Sequence, residues 1–128
     1  MKRVQRLSAQ QGLDAERALL DATFAGERDS GLLFWRPQEQ SLVMPRRLSR
    51  LEGFAAAEAA CAGLGWPIAL RDTGGEPVPQ SAGVLNVALV YAIPPSDNEQ
   101  TRIETAYLRL CQPLCDWLAA LGLDPGLG

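Results

Sequence analysis

The stretch from Arg71 to Asn86 holds the side chains best suited to bind a ligand, and it reads Arg-Asp-Thr-Gly-Gly-Glu-Pro-Val-Pro-Gln-Ser-Ala-Gly-Val-Leu-Asn. Gly74 and Gly75 allow positive φ angles and a close approach to bare backbone. Successive N–H groups in such a turn can form a nest for an anion. Arg71 could hold a carboxylate or phosphate through two parallel hydrogen bonds. These residues alone leave two interpretations open, a ligand-binding loop or a tight turn between strands.

Two residue types are nearly absent, and this excludes several kinds of site. The chain has no histidine, and Lys2 is its only lysine. Ser-His-Asp and Cys-His catalysis and histidine metal sites are therefore excluded, and a lysine at a chain terminus is poorly placed for catalysis. The net charge of −3 gives no indication of a nucleic-acid partner.

The cysteines and the N-terminal residues indicate a cytoplasmic protein. Cys61, Cys111 and Cys115 are an odd number of thiols, as expected where disulfides do not form. Cys111 and Cys115 lie four residues apart on a predicted helix. Interpreting them as buried, small apolar side chains is simpler than interpreting them as a metal-binding or redox pair. The residues after Met1 are polar, and no apolar run approaches the ~20 residues that span a bilayer. We expect no membrane partner.

The elements around the loop follow from periodicity and from glycine and proline signals. Apolar residues at helical spacing predict helices over 12–25, 53–64 and from a capping box at 96–99 to about 121, with a kink near Pro113. Apolar runs at 32–35 and 41–44 predict a hairpin around the polar connector 36–40, followed by Arg46 and Arg47. Strands are predicted at 68–70 and at 84–90, the latter apolar enough to be central and to end at Pro94-Pro95. This order predicts a single α+β (mixed α/β) domain over residues 1–128, with a central mixed β-sheet flanked by helices.

The loop also matches a known signature, R-R-[ST]-G-G-G-x-V-x-H-x-x-G-x-L-N, without a gap. The matching positions are Arg71, Thr73, Gly74, Gly75, Val78, Gly83, Leu85 and Asn86. This stretch resembles that of the lipoate–protein ligases and their relatives, the biotin ligases and octanoyltransferases. Leu13–Glu16 resembles the acidic motif of the family's first helix, residues 42–46 resemble its V-V-I-G-R strand end, and residues 103–122 resemble its following helix. The resemblance therefore implies a biotin/lipoate ligase-like fold, with this chain as an incomplete, N-terminal half of the catalytic domain.

The resemblance implies an activity for the intact protein: attachment of lipoate, octanoate or a similar acid to a lysine of a lipoyl-type carrier domain, with ATP and Mg²⁺. It assigns substrate or adenylate binding to Arg71, Thr73, Gly74, Gly75, Glu76, Gln80 and Asn86, with Arg46 beside them, and it implies no metal site built by the protein. The family's catalytic lysine belongs to a G-R-K-x-x-G-[ST]-A strand after the helix that ends near Leu121. We therefore expect no catalytic residue in this chain, which alone is not competent, and we expect a C-terminal segment or second fragment to complete the fold.

Departures from the signature leave three functions open. Glu76 replaces the third glycine, Gln80 replaces the histidine, and Pro77 and Pro79 remove N–H donors. A carboxylate ~4 Å from a phosphate costs on the order of 4 kcal/mol at an effective dielectric of ~20. Glu76 could pair with Arg46, Arg47 or Arg71, or help hold Mg²⁺. Alternatively the protein transfers acyl groups between carriers without ATP, or it is a non-catalytic acyl- or cofactor-binding relative.

Overall fold

The structure, a computed structural model, describes residues 3–93 and 98–126. Its elements confirm the α+β class. They are β1 (Gln5–Leu7), α1 (Ala9–Phe24), β2 (Ser30–Pro37), β3 (Ser41–Pro45), a 3₁₀ helix (Arg46–Arg50), α2 (Phe54–Gly63), β4 (Ile68–Arg71), β5 (Val78–Gln80), β6 (Asn86–Tyr91) and α3 (Glu99–Ala120). The chain forms two compact units, residues 1–90 and 91–128. The assignment of the whole chain to one domain stays a prediction.

The helix α1 begins three residues before the predicted start because Ser8 caps it. The Ser8 hydroxyl accepts a hydrogen bond from the Gln11 N–H at 3.2 Å, and the Gln11 side chain accepts one from the Ser8 N–H at 3.0 Å. This reciprocal pair satisfies two of the N–H groups that a helix start leaves without partners. It also places Gly12 inside the helix, against the ring of the fully buried Trp35.

The strands divide between two three-stranded sheets, whereas the sequence predicted one central sheet. One has the order β1-β2-β6, with β1 and β2 parallel. The other has the order β4-β3-β5, with β3 parallel to β4 and antiparallel to β5. The short strands β1 and β5 were not predicted, since three residues are too few to show a period.

The predicted hairpin between β2 and β3 is wrong, although both strands exist. The connector sends its donors elsewhere: the Gln38 N–H donates to the Leu7 carbonyl at 2.8 Å, and the Gln40 side chain donates to the Gly65 carbonyl at 2.9 Å. Pro37, the last residue of β2, has no N–H to offer a partner strand. The chain therefore crosses from one sheet to the other at this connector and does not fold back on itself.

The prediction that the apolar strand is central is also wrong for the described residues, where β6 begins at Asn86 and lies at one end of its sheet. All six of its side chains are half-buried. Burial of both faces explains its apolar sequence, and burial of a face does not require a neighbour on both edges.

The second unit contains α3, which is one helix that continues through Pro113. Its cap is Asn98, whose side chain accepts a hydrogen bond from the Thr101 N–H at 3.2 Å. The predicted capping box began at Ser96. That residue lies outside the described residues, as do Lys2, Pro94, Pro95 and Asp97.

Candidate ligand-binding site

The register between β3 and β4 brings two charged residues together at one end of the second sheet. Pro45 is paired with Arg71 in this parallel ladder, so the residues that follow each strand emerge side by side. These residues are Arg46 and Asp72, and the Arg46 Nε donates to the Asp72 carboxylate at 2.6 Å. The ion pair spans 26 residues of sequence and results directly from strand pairing.

Asp72 also lies close to a second arginine, Arg17 of α1. The Arg17 Nη1 lies 3.8 Å from the other Asp72 carboxylate oxygen, and Arg17 additionally donates to Asp21 at 2.9 Å. The hydrogen bond and the positive charge of Arg46, with a smaller contribution from Arg17, hold the pKa of the Asp72 carboxyl below its usual value, although partial desolvation opposes them. Asp72 is therefore ionised at neutral pH, bound between two guanidinium groups.

The glycine loop is held in shape by arginine side chains that bind its carbonyl oxygens. Arg71 donates to the Gly74 carbonyl at 3.1 and 2.8 Å and to the Glu76 carbonyl at 2.8 Å. Arg47 donates to the Gly75 carbonyl at 3.2 Å. Gly75 has a φ of 97°, a left-handed conformation that favours glycine. Arg71 thus organises the loop, a role that the sequence did not suggest for it.

The backbone carbonyls of this loop are bound by arginines, whereas its N–H groups are free within the described residues. Three successive carbonyls, from Gly74 to Glu76, accept hydrogen bonds from arginines, while the N–H groups of these residues have no acceptor within the described part of the chain. The loop is exposed to solvent. Free N–H groups in successive residues are one requirement of an anion nest.

A cavity of about 240 Å³ lies beside this ion-pair cluster. Its lining is part apolar and part polar, and the polar residues include three arginines and three acids, so the formal charges cancel. The apolar lining residues are Leu13, Leu20, Leu70, Ala88 and Val90, and the polar ones are Gln10, Asp14, Glu16, Arg17, Arg46, Arg71, Asp72 and Thr73. A cavity that combines apolar side chains with a few polar groups is typical of a site for a small organic ligand.

Glu16 is fixed at this cavity by a buried tryptophan. The Trp35 indole N–H donates to a Glu16 carboxylate oxygen at 2.8 Å, and Trp35 is only 1 % exposed. A Cβ at position 12 would lie 2.5 Å from the Trp35 ring, so Gly12 leaves the space that the ring fills. Trp35 thereby gains the partner that a buried indole needs, and Glu16 is oriented.

The predicted site residues do not all converge on the cavity. Arg46, Arg71 and Thr73 line it, whereas Gly74, Gly75 and Glu76 lie on the adjoining loop and are not in its lining. Gln80 and Asn86 instead bind each other, with their amides exchanging two hydrogen bonds of 3.1 and 3.0 Å. Because Gln80 belongs to one sheet and Asn86 to the other, this amide pair joins the two sheets.

Glu76 does not form the ion pair suggested from the sequence. Arg46 binds Asp72, while Arg47 and Arg71 bind loop carbonyls, and within the described residues the Glu76 side chain has no bonding partner. The second suggestion, that Glu76 helps hold Mg²⁺ beside phosphates, stays a prediction. The described residues contain no group of three or more His, Cys, Asp or Glu side chains suited to a metal. The three thiols are free and half-buried.

Sequence reasoning missed Asp72 and Arg17. The signal for Asp72 was available, because it occupies the position of the second arginine in the R-R-[ST]-G-G-G signature. An acid thus stands in the cavity lining where the signature has a base. Arg17 gave no such signal, since its position on the cavity side of α1 depends on how the helix packs.

Comparison with known proteins supports the resemblance. Residues 8–126 match the family model described as the lipoyl protein ligase A/B catalytic domain. The chain belongs to this family. It is 39% identical over 114 residues to an uncharacterized protein of Cupriavidus necator, covering 88% of this chain and 42% of that protein. No helix among the described residues has the length and apolar composition to cross a membrane.

Solved structures show the same fold. The chain matches a bi-partite lipoate protein ligase from Thermoplasma acidophilum, studied with its E2 lipoyl domain, at a TM-score of 0.68 and 20% identity, covering 98% of this chain and 46% of that one. A putative lipoate protein ligase of T. acidophilum with bound lipoic acid matches at 0.63 and 22%, covering 98% and 51%. A lipoate-protein ligase A bound with ATP matches at 0.62 and 19%, covering 98% and 49%. The chain therefore spans about half the length of the relatives it matches.

Proposed function

We propose that this domain binds the acyl group of a small carboxylic acid, of the lipoate or octanoate type, for attachment to a lysine of a lipoyl-type carrier domain. The observation that carries the proposal is the cavity between α1, β4 and β6, whose lining combines apolar side chains with the guanidinium groups of Arg17 and Arg46 and with Thr73. The family and the lipoic acid in one structural neighbour support it.

The apolar and the polar lining residues would bind different parts of the ligand. An acyl chain lying along Leu13, Leu20 and Leu70 would gain about 0.8 kcal/mol for each methylene removed from water. The polar end of the ligand would then reach Arg46 and Thr73, next to the free N–H groups of the glycine loop. In this proposal the chain's own residues bind and orient the acyl group, and a lysine-bearing segment from the rest of the fold supplies charge at the carbonyl during transfer.

A second candidate function, acyl transfer between carriers without ATP, is favoured by Glu76. Its exposed carboxylate lies in the loop that would receive the phosphates of a nucleotide, and it has no partner within the described residues to neutralise it. Arg71 and Arg47 already use donors on the loop carbonyls. The residues present therefore fit an acyl group better than a triphosphate with Mg²⁺.

Calorimetric titration of the full chain with octanoate, lipoate, the neutral thioester S-octanoyl-N-acetylcysteamine and ATP–Mg²⁺ tests the binding proposal. We expect an acyl ligand to bind to the wild type and to be excluded by Leu70→Trp, which fills the cavity. Leu64→Trp is the matched control, because Leu64 is 78% exposed and lies outside the cavity lining. Circular dichroism of both variants verifies folding. Absence of binding by any acyl ligand, or equal binding by both variants, contradicts the proposal.

Modification of a lipoyl domain by the intact protein separates the two candidate reactions. Mass spectrometry of the carrier domain would detect the added acyl group after incubation with octanoate and ATP–Mg²⁺, or with an octanoyl carrier thioester and no nucleotide. Modification that requires ATP supports the ligase. Modification from the thioester alone supports the transferase, and modification under neither condition favours a non-catalytic binding protein.

A further inference from the structure

The strongest unexplained feature of the cavity is the acid held between its arginines. Asp72 accepts from Arg46 at 2.6 Å and lies 3.8 Å from Arg17, and each of these three side chains is about half exposed. A ligand carboxylate or phosphate that approached Arg46 would meet a guanidinium already bound to a carboxylate. It would have to displace Asp72 or share the site with its negative charge.

We propose that Asp72 acts as an internal carboxylate ligand of Arg46 and Arg17, and that it selects acyl substrates whose reactive end carries no net charge. An acyl thioester belongs to this class, whereas a free carboxylate and an acyl adenylate do not. The inference rests on the proposed acyl site and adds the chemical class of its substrate.

The charges of the whole cavity lead to the same conclusion. The three arginines of the lining are balanced by Asp14, Glu16 and Asp72. Two of these arginines make further contacts with the protein: Arg17 binds Asp21, and Arg71 binds the loop carbonyls. Among the described lining residues, each arginine is therefore already engaged with an oxygen of the protein. A neutral thioester carbonyl needs only one hydrogen-bond donor, which Thr73 or a loop N–H can supply, and it leaves the Asp72 ion pairs intact.

Arginine at position 72, as in the family signature, would have the opposite effect. It would remove the competing carboxylate and add a fourth base to the cavity lining, which favours anionic ligands. Asp72 is thus a specificity-determining residue, and its role becomes clear once the structure shows which arginines it binds.

The test compares three ligands with one acyl chain: octanoate, the anionic adenylate mimic octanoyl-sulfamoyladenosine, and the neutral thioester S-octanoyl-N-acetylcysteamine. Calorimetry would measure their affinities for the wild type, Asp72→Asn, Asp72→Glu and Asp29→Asn. Asp29 is the matched control, since it is an exposed acid outside the cavity lining. Thermal unfolding would verify that each variant is folded.

We expect the wild type to bind the thioester more tightly than octanoate. We expect Asp72→Asn to bind octanoate about tenfold more tightly than the wild type does, a change on the scale of one charge-assisted hydrogen bond at a half-exposed site. The gain should weaken as salt is added, thioester affinity should hardly change, and Asp72→Glu and Asp29→Asn should behave as wild type. Wild-type preference for octanoate or the adenylate mimic, or no gain in Asp72→Asn, overturns the inference while the acyl site stands. Failure of all three ligands to bind any variant refutes the acyl site itself.

Discussion

At the scale of single residues, the site depends on partners that are distant in the sequence. Asp72 lies between two arginines from different elements, and Arg71 donates hydrogen bonds to carbonyls of the loop that follows it. Gln80 and Asn86, which match or replace signature positions, form an amide pair between the sheets. Residue type indicated that Arg71, Gln80 and Asn86 matter but not Asp72, and the roles of all four residues follow from their contacts.

Removing one member of the amide pair should destabilise the domain. Gln80→Leu would leave the Asn86 amide half-buried without its partner, and we expect a loss of about 1–3 kcal/mol in the free energy of unfolding. The double variant Gln80→Leu/Asn86→Leu should lose less than the sum of the single variants, because no unpaired polar group remains. Urea denaturation measures both. Gln100→Leu, on the exposed surface of α3, is the control, and additive losses would contradict the pairing.

The Asp72 ion pairs should make stability depend on pH in a known direction. The pKa of Asp72 is lowered in the folded protein, so its contribution is fully present above the unfolded-state value of about 4 and is lost as the pH falls through the lowered pKa. The stability difference between the wild type and Asp72→Asn should therefore be constant near neutrality and shrink in acid. Urea titrations over a pH series measure it. A difference that grows in acid would contradict this assignment.

At the scale of elements, the helix α1 is the part that assembles the cavity. Its capped start places Leu13, Arg17 and Leu20 along the cavity. The ring of Trp35 occupies the space that Gly12 leaves on its buried side, and the indole orients Glu16. One small residue thus couples the packing of the helix to the orientation of Glu16 in the cavity lining.

Alanine at two helical glycines should therefore have opposite effects. Gly12→Ala would place a Cβ 2.5 Å from the Trp35 ring, and we expect overpacking to cost about 1–3 kcal/mol. Gly63→Ala has no atom within 4 Å of its Cβ, and it should be neutral or stabilising by up to about 1 kcal/mol. Thermal unfolding followed by circular dichroism compares them. A Gly12→Ala variant as stable as Gly63→Ala would show that the helix moves freely away from Trp35.

At the scale of the whole molecule, large apolar side chains remain exposed, especially along α3. Tyr107, Trp117 and Leu121 are each at least 60% exposed, and no residue of α3 is buried. The strand β6 lies at one end of its sheet, and its side chains are apolar except for Asn86. Exposed apolar surface of this kind marks contact with other protein or a tendency to associate.

The chain alone should therefore associate as its concentration rises. We expect Trp117→Gln to reduce this association and to lower the fluorescence of a bound hydrophobic dye, while it changes the free energy of unfolding by less than about 0.5 kcal/mol, as is usual for a surface position. Sedimentation velocity over a concentration series measures the association. Unchanged association in Trp117→Gln would show that this face is not responsible.

The sequence was sufficient for features that depend on neighbouring residues. Helix periodicity located α2 closely and the body of α1 and α3, apolar runs located β2, β3 and β4, and the glycine loop with its flanking residues indicated the family that the comparisons confirmed. The Ser8 capping box, a serine with glutamine three residues later, was missed, although the residues that form it are close neighbours in the sequence.

Tertiary structure alone decided which elements meet. Apolar periodicity records that a strand is buried, but it does not record its neighbour, so β2 and β3 were wrongly paired with each other and β6 was wrongly placed in the centre of a sheet. The same limit hid the Asp72 site, because the parallel register of β3 with β4 joins residues 26 positions apart. The charge of the cavity, and with it the class of ligand we propose, depends on that long-range pairing.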